Sequence, residues 1–211
     1  NSSITLNGSF TLSGGTFTST AGTLSVSGNW THTAGGTFNH NNGTVVFTGG
    51  WITIGVMTTE TFNNLTLNIS GVNMTTGHSF ITLGTLTLTN GSVGTGTLEA
   101  RGNVTVAFTY DGGNATLLFS GSAEQTFDLT GATTKYVGPI TLNKSGGQVT
   151  LASDLTMTVS GTVLTLTAGT LNLNGKTLTT SPPTSVTTIN GTVTFTGGGT
   201  FSGTALTQTA G

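Results

Sequence analysis

Between residues 85 and 91 the chain reads TLTLTNG, and between 170 and 175 it reads TLNLNG. In an extended strand Leu86 and Leu88 fall on one face, and Thr85, Thr87 and Thr89 on the other. Leu171 and Leu173 repeat the arrangement. Such strict alternation predicts strands with one face buried and one face wet. The stretches between glycines run about 5 to 9 residues, and no window carries a helical period. The chain reads as all-β.

Composition points the same way. Threonine makes up about a quarter of the 211 residues, and glycine contributes 34. Thr, Val, Ile, Leu and Phe suit a pleated, half-buried surface, and glycine suits turns. Only 5% of residues are charged, against about 25% in an ordinary globular domain. A net charge of −2 with 34% hydrophobic residues separates the chain from disordered sequences, which combine low hydrophobicity with high net charge. The absence of Cys excludes disulfides, thiol nucleophiles and thiolate metal sites. Four Lys and Arg residues are too few for the phosphate contacts of nucleic-acid binding. No apolar run approaches the roughly 20 residues of a membrane span. Neither a nucleic-acid partner nor membrane insertion is expected. Asn1 is neither an initiator Met nor part of a signal peptide, so a processed product or an excerpt of something longer is expected.

The chain also repeats itself. VVFTGG at 45–50 is echoed by LLFSGS at 117–122 and VTFTGG at 193–198, which sets Phe47, Phe119 and Phe195 apart by 72 and 76 residues. SGNWT at 27–31 answers RGNVT at 101–105, and NLTLNISG at 64–71 answers PITLNKSG at 139–146. A unit of about 74 residues thus recurs nearly three times, over about 1–75, 76–150 and 151–211. Many short alternating strands fit either a β-sandwich array of hairpins or a solenoid of stacked coils. Asn-Gly pairs at 7–8, 42–43, 90–91, 174–175 and 190–191 keep hairpins open. The long period favours the solenoid, with three coils of about 25 residues or four of about 18 per unit. The expected fold is a parallel β-helix forming one continuous domain, with the three Phe residues at equivalent inward places in the stack.

The segments SGNWTHTAGGTFNHNNGTVVFTGG and TLASDLTMTVSGTVLTLTAGTLNLNGKTLT resemble the Thr/Gly/Asn-rich β-helix arrays of large bacterial secreted surface proteins, adhesin-like or autotransporter-like. The resemblance covers almost the whole chain through degenerate motifs. It implies a right-handed parallel β-helix at the cell exterior, used as stalk, adhesin or fibre. It carries over no catalytic residue.

Side chains able to do chemistry are few. Glu60, Glu99, Asp111, Glu124, Asp128 and Asp154 read as solvated surface charges. Glu124 and Asp128 share a strand face at roughly 13 Å, too far apart for a carboxylate pair in glycoside hydrolysis. His32 and His40, with His78 distant, lack a third ligand and read as surface, so no metal is expected. Neither catalysis nor a cofactor is implied. Asn29, Asn64, Asn68, Asn73, Asn103, Asn114 and Asn143 stand in Asn-x-Ser/Thr triplets. They are candidate glycan attachment points, although a Thr-rich strand acquires that triplet by accident. T-x-T pairs such as Thr31/Thr33, Thr85/Thr87, Thr165/Thr167, Thr177/Thr179 and Thr194/Thr196 suggest a lateral face for ice or polysaccharide, but their spacing is irregular. Trp30 and Trp51 read as core or corner residues rather than sugar platforms.

All ten Asp, Glu, Lys and Arg residues lie between Glu60 and Lys176. No charged cap stands at either end, where a solenoid exposes unpaired backbone groups. Ile4 and Leu6 begin a strand that would continue from Leu206 and Gly211, so head-to-tail joining with another copy or a flanking segment is expected. The expectation for function is a non-enzymatic structural solenoid at a microbial surface, extracellular, with itself and surface glycans as partners. A binding module for ice or polysaccharide is the alternative.

Overall fold

A computed structural model describes residues 2–56, 59–129, 137–157, 161–180, 185–203 and 205–208. The chain is a parallel β-solenoid of about nine turns, with about 21 residues per turn and no helix among the described residues. Each turn visits three sheets in order. The first turn supplies Ile4–Leu6, Phe10–Leu12 and Gly15–Thr18, and the second supplies Thr23–Val26, Trp30–His32 and Gly36–Asn39. In the third turn Thr44–Val56 bends from the first sheet into the second without a break, and Thr59–Phe62 follows on the third.

The ladder is in register along the rod. On the first sheet Ile4 pairs with Leu24, Leu24 with Val45, Val45 with Leu65, Leu65 with Leu86 and Leu86 with Val104. On the third, Phe80 pairs with Leu98, Leu98 with Leu117, Leu117 with Ile140 and Ile140 with Leu164. Every pairing among the described residues is parallel, which retires the hairpin sandwich. The Asn-Gly pairs make corners instead of hairpins. Asn42 and Asn174 adopt left-handed φ values of 55° and 52°, which short polar side chains tolerate. At Gly91 (φ 80°) a Cβ would stand 2.0 Å from the Ile69 carbonyl oxygen of the previous turn, so only glycine can round that corner.

Alternation decides which side chains fill the bore. Leu24, Val26, Phe47, Leu65, Leu67, Leu86 and Leu88 point in and are buried, while the Thr, Ser and Asn residues between them point out. The first four turns are filled with rings. Trp30 stacks on Phe10 at 4.2 Å and meets Phe38, Phe47 and Phe62 edge-on at 5.0, 5.7 and 5.7 Å. Phe80 continues the pile beyond Phe47 and Phe62. Later turns are filled mainly with Leu, Ile and Val, around a void of about 20 Å³ lined by Phe119, Phe127, Leu142 and Leu166, among others.

The three copies of the Phe phrase do not occupy equivalent places. Phe47 stacks under Leu67 on the first sheet, whereas Phe119 sits between Ala100 and Leu142 on the third. Phe195 returns to the first sheet, over Leu171, and is partly exposed. The cause is arithmetic: a turn takes 18 residues from Leu86 to Val104 but 23 from Val104 to Phe127. A unit of about 74 residues therefore spans no whole number of turns, and the phrase drifts around the rod.

Candidate functional site

Two ionisable side chains that sequence places on the surface or leaves unassigned lie inside the rod. Glu60 precedes Thr61 and Phe62 on the third sheet, in phase with inward Phe62, and is only 4% exposed. Its Oε2 accepts from Trp30 Nε1 at 2.9 Å and meets His32 Nδ1 at 2.8 Å. No strand pairing joins Gly36–Asn39 to Thr59–Phe62 among the described residues, and the two side-chain bonds tie Thr59–Phe62 instead to Trp30–His32, the second-sheet strand of the previous turn. Backbone N–H groups in a sheet are already engaged, so a buried carboxylate must take its donors from side chains. Burial works against the charged imidazole of His32. The Gly36 backbone and the Glu60 carboxylate together outweigh it and raise its pKa above 6.5. Beside the pair, an opening of about 160 Å³ is lined by His32, Thr33, Gly35, Gly36 and Thr59. Glu60 is thus not a solvated surface charge, nor is His32 an ordinary surface histidine: both are structural partners at a discontinuity in the ladder.

Lys144 is the counterpart. It follows Ile140 and Leu142 in phase and is 3% exposed. Its Nζ donates to the carbonyls of Ala123 (2.8 Å) and Ser120 (3.4 Å) and to Gln125 Oε1 (2.5 Å). Gln125 Nε2 in turn donates to the carbonyls of Ala100 and Gly102. A polar column therefore runs through three successive turns. Burial pushes the Lys144 pKa below 10.5, against the opposing charge of Glu124. Its ammonium, held by three acceptors, pins the turn of Ile140–Leu151 to the turn before it.

Other charges among the described residues lie nearer the surface. Arg101 and Ser120 both donate to Glu99 Oε1, at 2.7 and 2.8 Å. Ser153 donates to Asp128 Oδ1, and Glu124 is exposed. No three His, Asp or Glu side chains converge to hold a metal ion among the described residues.

Several glycan candidates have work inside the fold. Asn29 Oδ1 accepts from the Thr53 amide, Asn64 Oδ1 from Thr85 and Asn103 Oδ1 from Thr126, each at 2.8 Å and each in the next turn. Asp154 does the same for Thr177. These side chains stand in for backbone acceptors where the chain turns a corner. Asn68, Asn73, Asn114 and Asn143 are exposed, as are Asn29 and Asn103; Asn64 is half-buried. The T-x-T pairs scatter: Thr85/Thr87 and Thr194/Thr196 lie on the first sheet, Thr177/Thr179 on the second and Thr165 on the third.

At the joining edge, Ile4 and Leu6 are half-buried and pack against the core, and their strand pairs on one side with Thr23–Val26. Ala205–Gln208 pairs with Val186–Ile189. The Leu206 side chain and Gly211 lie outside the described residues. Trp30 is a core residue, but Trp51 is 64% exposed on the outer wall. No protein-family model matches the chain, and no curated protein or solved structure matches it.

Proposed function

We propose that this chain is a length of structural rod, a non-enzymatic β-solenoid segment of a stalk, fibre or adhesin on the outside of a microbial cell. One observation carries the reading: parallel pairing repeats turn upon turn from Ile4–Leu6 to Ala205–Gln208 around an apolar bore. An open parallel edge over a half-covered apolar bore is a template for another coil. Ile4 and Leu6 pack on the core from one side only and offer the other side for stacking. Each backbone bond gained there contributes about 0.5–1.5 kcal/mol net, and a whole coil of them makes a firm joint. A coil of the same polypeptide and a coil of a second copy fit the same edge. Such a contact is heterologous and does not close, so copies joined this way grow as filaments. The neutral hydroxyl- and amide-covered flanks keep growth along the axis.

Electron microscopy of the purified chain tests this. Filaments with an axial repeat of about 45 Å, from about nine turns at the interstrand spacing, are expected. Thr5→Pro, which removes an edge amide, should shorten or abolish them. Monodisperse single rods at high concentration would retire stacking between copies.

A further inference from the structure

Trp51 is a feature that neither the bore nor the open edge requires. It stands at the start of the second-sheet part of Thr44–Val56, pointing outward between inward Ile52 and the preceding corner. Its in-register neighbour in the next turn is Gly71. A Cβ on Gly71 would lie 2.4 Å from Trp51 Cζ3 and 2.6 Å from both Cε3 and Cη2. Three ring atoms at nearly equal close range place the indole flat over the Gly71 backbone, which is itself buried. Gly71 is not among the residues with a left-handed φ, so its backbone does not call for glycine. A glycine inside a strand weakens the strand, and here what it admits is the ring. Beyond Gly71 in the same column come Ser92 and Gly112, so no bulky side chain rises at the ring's edge. Beside it stand Thr53 and Asn73, paired with each other and exposed.

We propose that Trp51 is a stacking platform for a neutral carbohydrate chain bound on the second sheet. The outward ring face matches the C–H face of a pyranose, and Thr53 and Asn73 offer hydroxyl and amide partners for sugar hydroxyls. Its outward neighbours Thr53, Asn73 and Ser92 carry no charge, and the first charged side chain along the sheet is Asp111, three turns on, so the patch beside the ring suits a neutral ligand. A lone indole presents roughly 150–250 Å², far short of the 1,200–2,000 Å² or so that a stable protein interface buries. The inference deepens the adhesin side of the proposed function by naming what the rod adheres to. It depends on the flank and not on the ends, so filament growth and sugar binding can fail separately.

The test is calorimetric titration of the whole chain with cellohexaose, chitohexaose and laminarihexaose, with tryptophan emission followed in parallel. Trp30 is buried and Trp51 exposed, so a sugar-dependent change in emission reports on Trp51. Saturable binding of at least one hexaose is expected. Trp51→Ala should weaken it about tenfold or more, with thermal unfolding unchanged. Gly71→Ala, which displaces the ring, should weaken it as well, and Trp51→Phe should restore part of it. Failure of all three sugars to bind, or undiminished binding by Trp51→Ala, overturns the proposal. Loss of self-association in Trp51→Ala without any sugar binding overturns it in favour of a second copy as the occupant.

Discussion

The first four turns and the later turns solve the same packing problem with different materials. Early on, Phe10, Trp30, Phe38, Phe47, Phe62 and Phe80 fill the bore with interlocking rings. Further along, Ile140, Leu142, Val149, Leu151 and Leu166 fill it with branched aliphatics and leave a small void. Each region also buries a charged side chain, Glu60 in the first and Lys144 in the second, and the two are held differently. A ladder N–H has one hydrogen to give, whereas a ladder carbonyl has a second lone pair. A buried cation can therefore be held by the backbone of neighbouring turns, as Lys144 is by Ser120 and Ala123. A buried anion must recruit side chains, as Glu60 recruits Trp30 and His32. The aromatic region supplies such a donor because indole combines a large apolar body with an N–H.

The heaviest blow to the aromatic region is Trp30→Ala. It opens a cavity where several rings meet and strands Glu60 with one donor fewer, so a loss of about 3–5 kcal/mol is expected in denaturant titrations. A loss below about 1 kcal/mol would mean that the ring pile is not what holds these turns. Next comes a matched pair. Glu60→Leu leaves the buried Trp30 N–H and the half-buried His32 ring without their acceptor and should cost about 2 kcal/mol. Lys144→Met takes a donor from Gln125 Oε1 and from the Ser120 and Ala123 carbonyls but also removes a buried charge, and should fall within about 1 kcal/mol of neutral. The reverse order would break the comparison.

Acidity sharpens the contrast without any truncation. The folded pKa of His32 lies above its unfolded 6.5, so its stabilisation is complete below that value and is lost as pH rises through the folded pKa. The folded pKa of Lys144 lies below its unfolded 10.5. Its cost is complete below the folded value and is relieved as pH climbs toward 10.5. Melting curves of the parent and of His32→Gln should diverge at mildly acid pH and converge in alkali. For Lys144→Met the gap should instead move in the mutant's disfavour on the alkaline side. Parallel curves in either case would remove the titrating group from the account. The smallest effects belong to the corners. Asn29→Ala and Asp154→Ala should each cost about 1 kcal/mol, visible as faster hydrogen exchange at the Thr53 and Thr177 amides.

Much of this was legible as phase. In ITLNK, Lys144 keeps step with Ile140 and Leu142, and in TETF, Glu60 keeps step with Phe62, so both read inward. In GGWITI, Trp51 is out of step with Ile52 and Ile54, so it reads outward. Phase is a local property, and at Glu60 and His32 it conflicts with residue type, which reads as surface. Which residues meet across turns is not local. Glu60 reaches His32 across 28 residues because corners of unequal length set the register there. The repeat of about 74 residues carries no trace of those corners. For the same reason the sheet on which Phe119 lies could not be read from its similarity to Phe47.

The ladder bonds of this rod lie along its long axis, so a pull from the ends reaches every turn in series. The weakest junction yields first and frees about 21 residues, or roughly 70 Å of extended chain, while the turns on either side stay wound. A tether of this build lengthens by instalments under load: each released turn relaxes the tension before the next gives way.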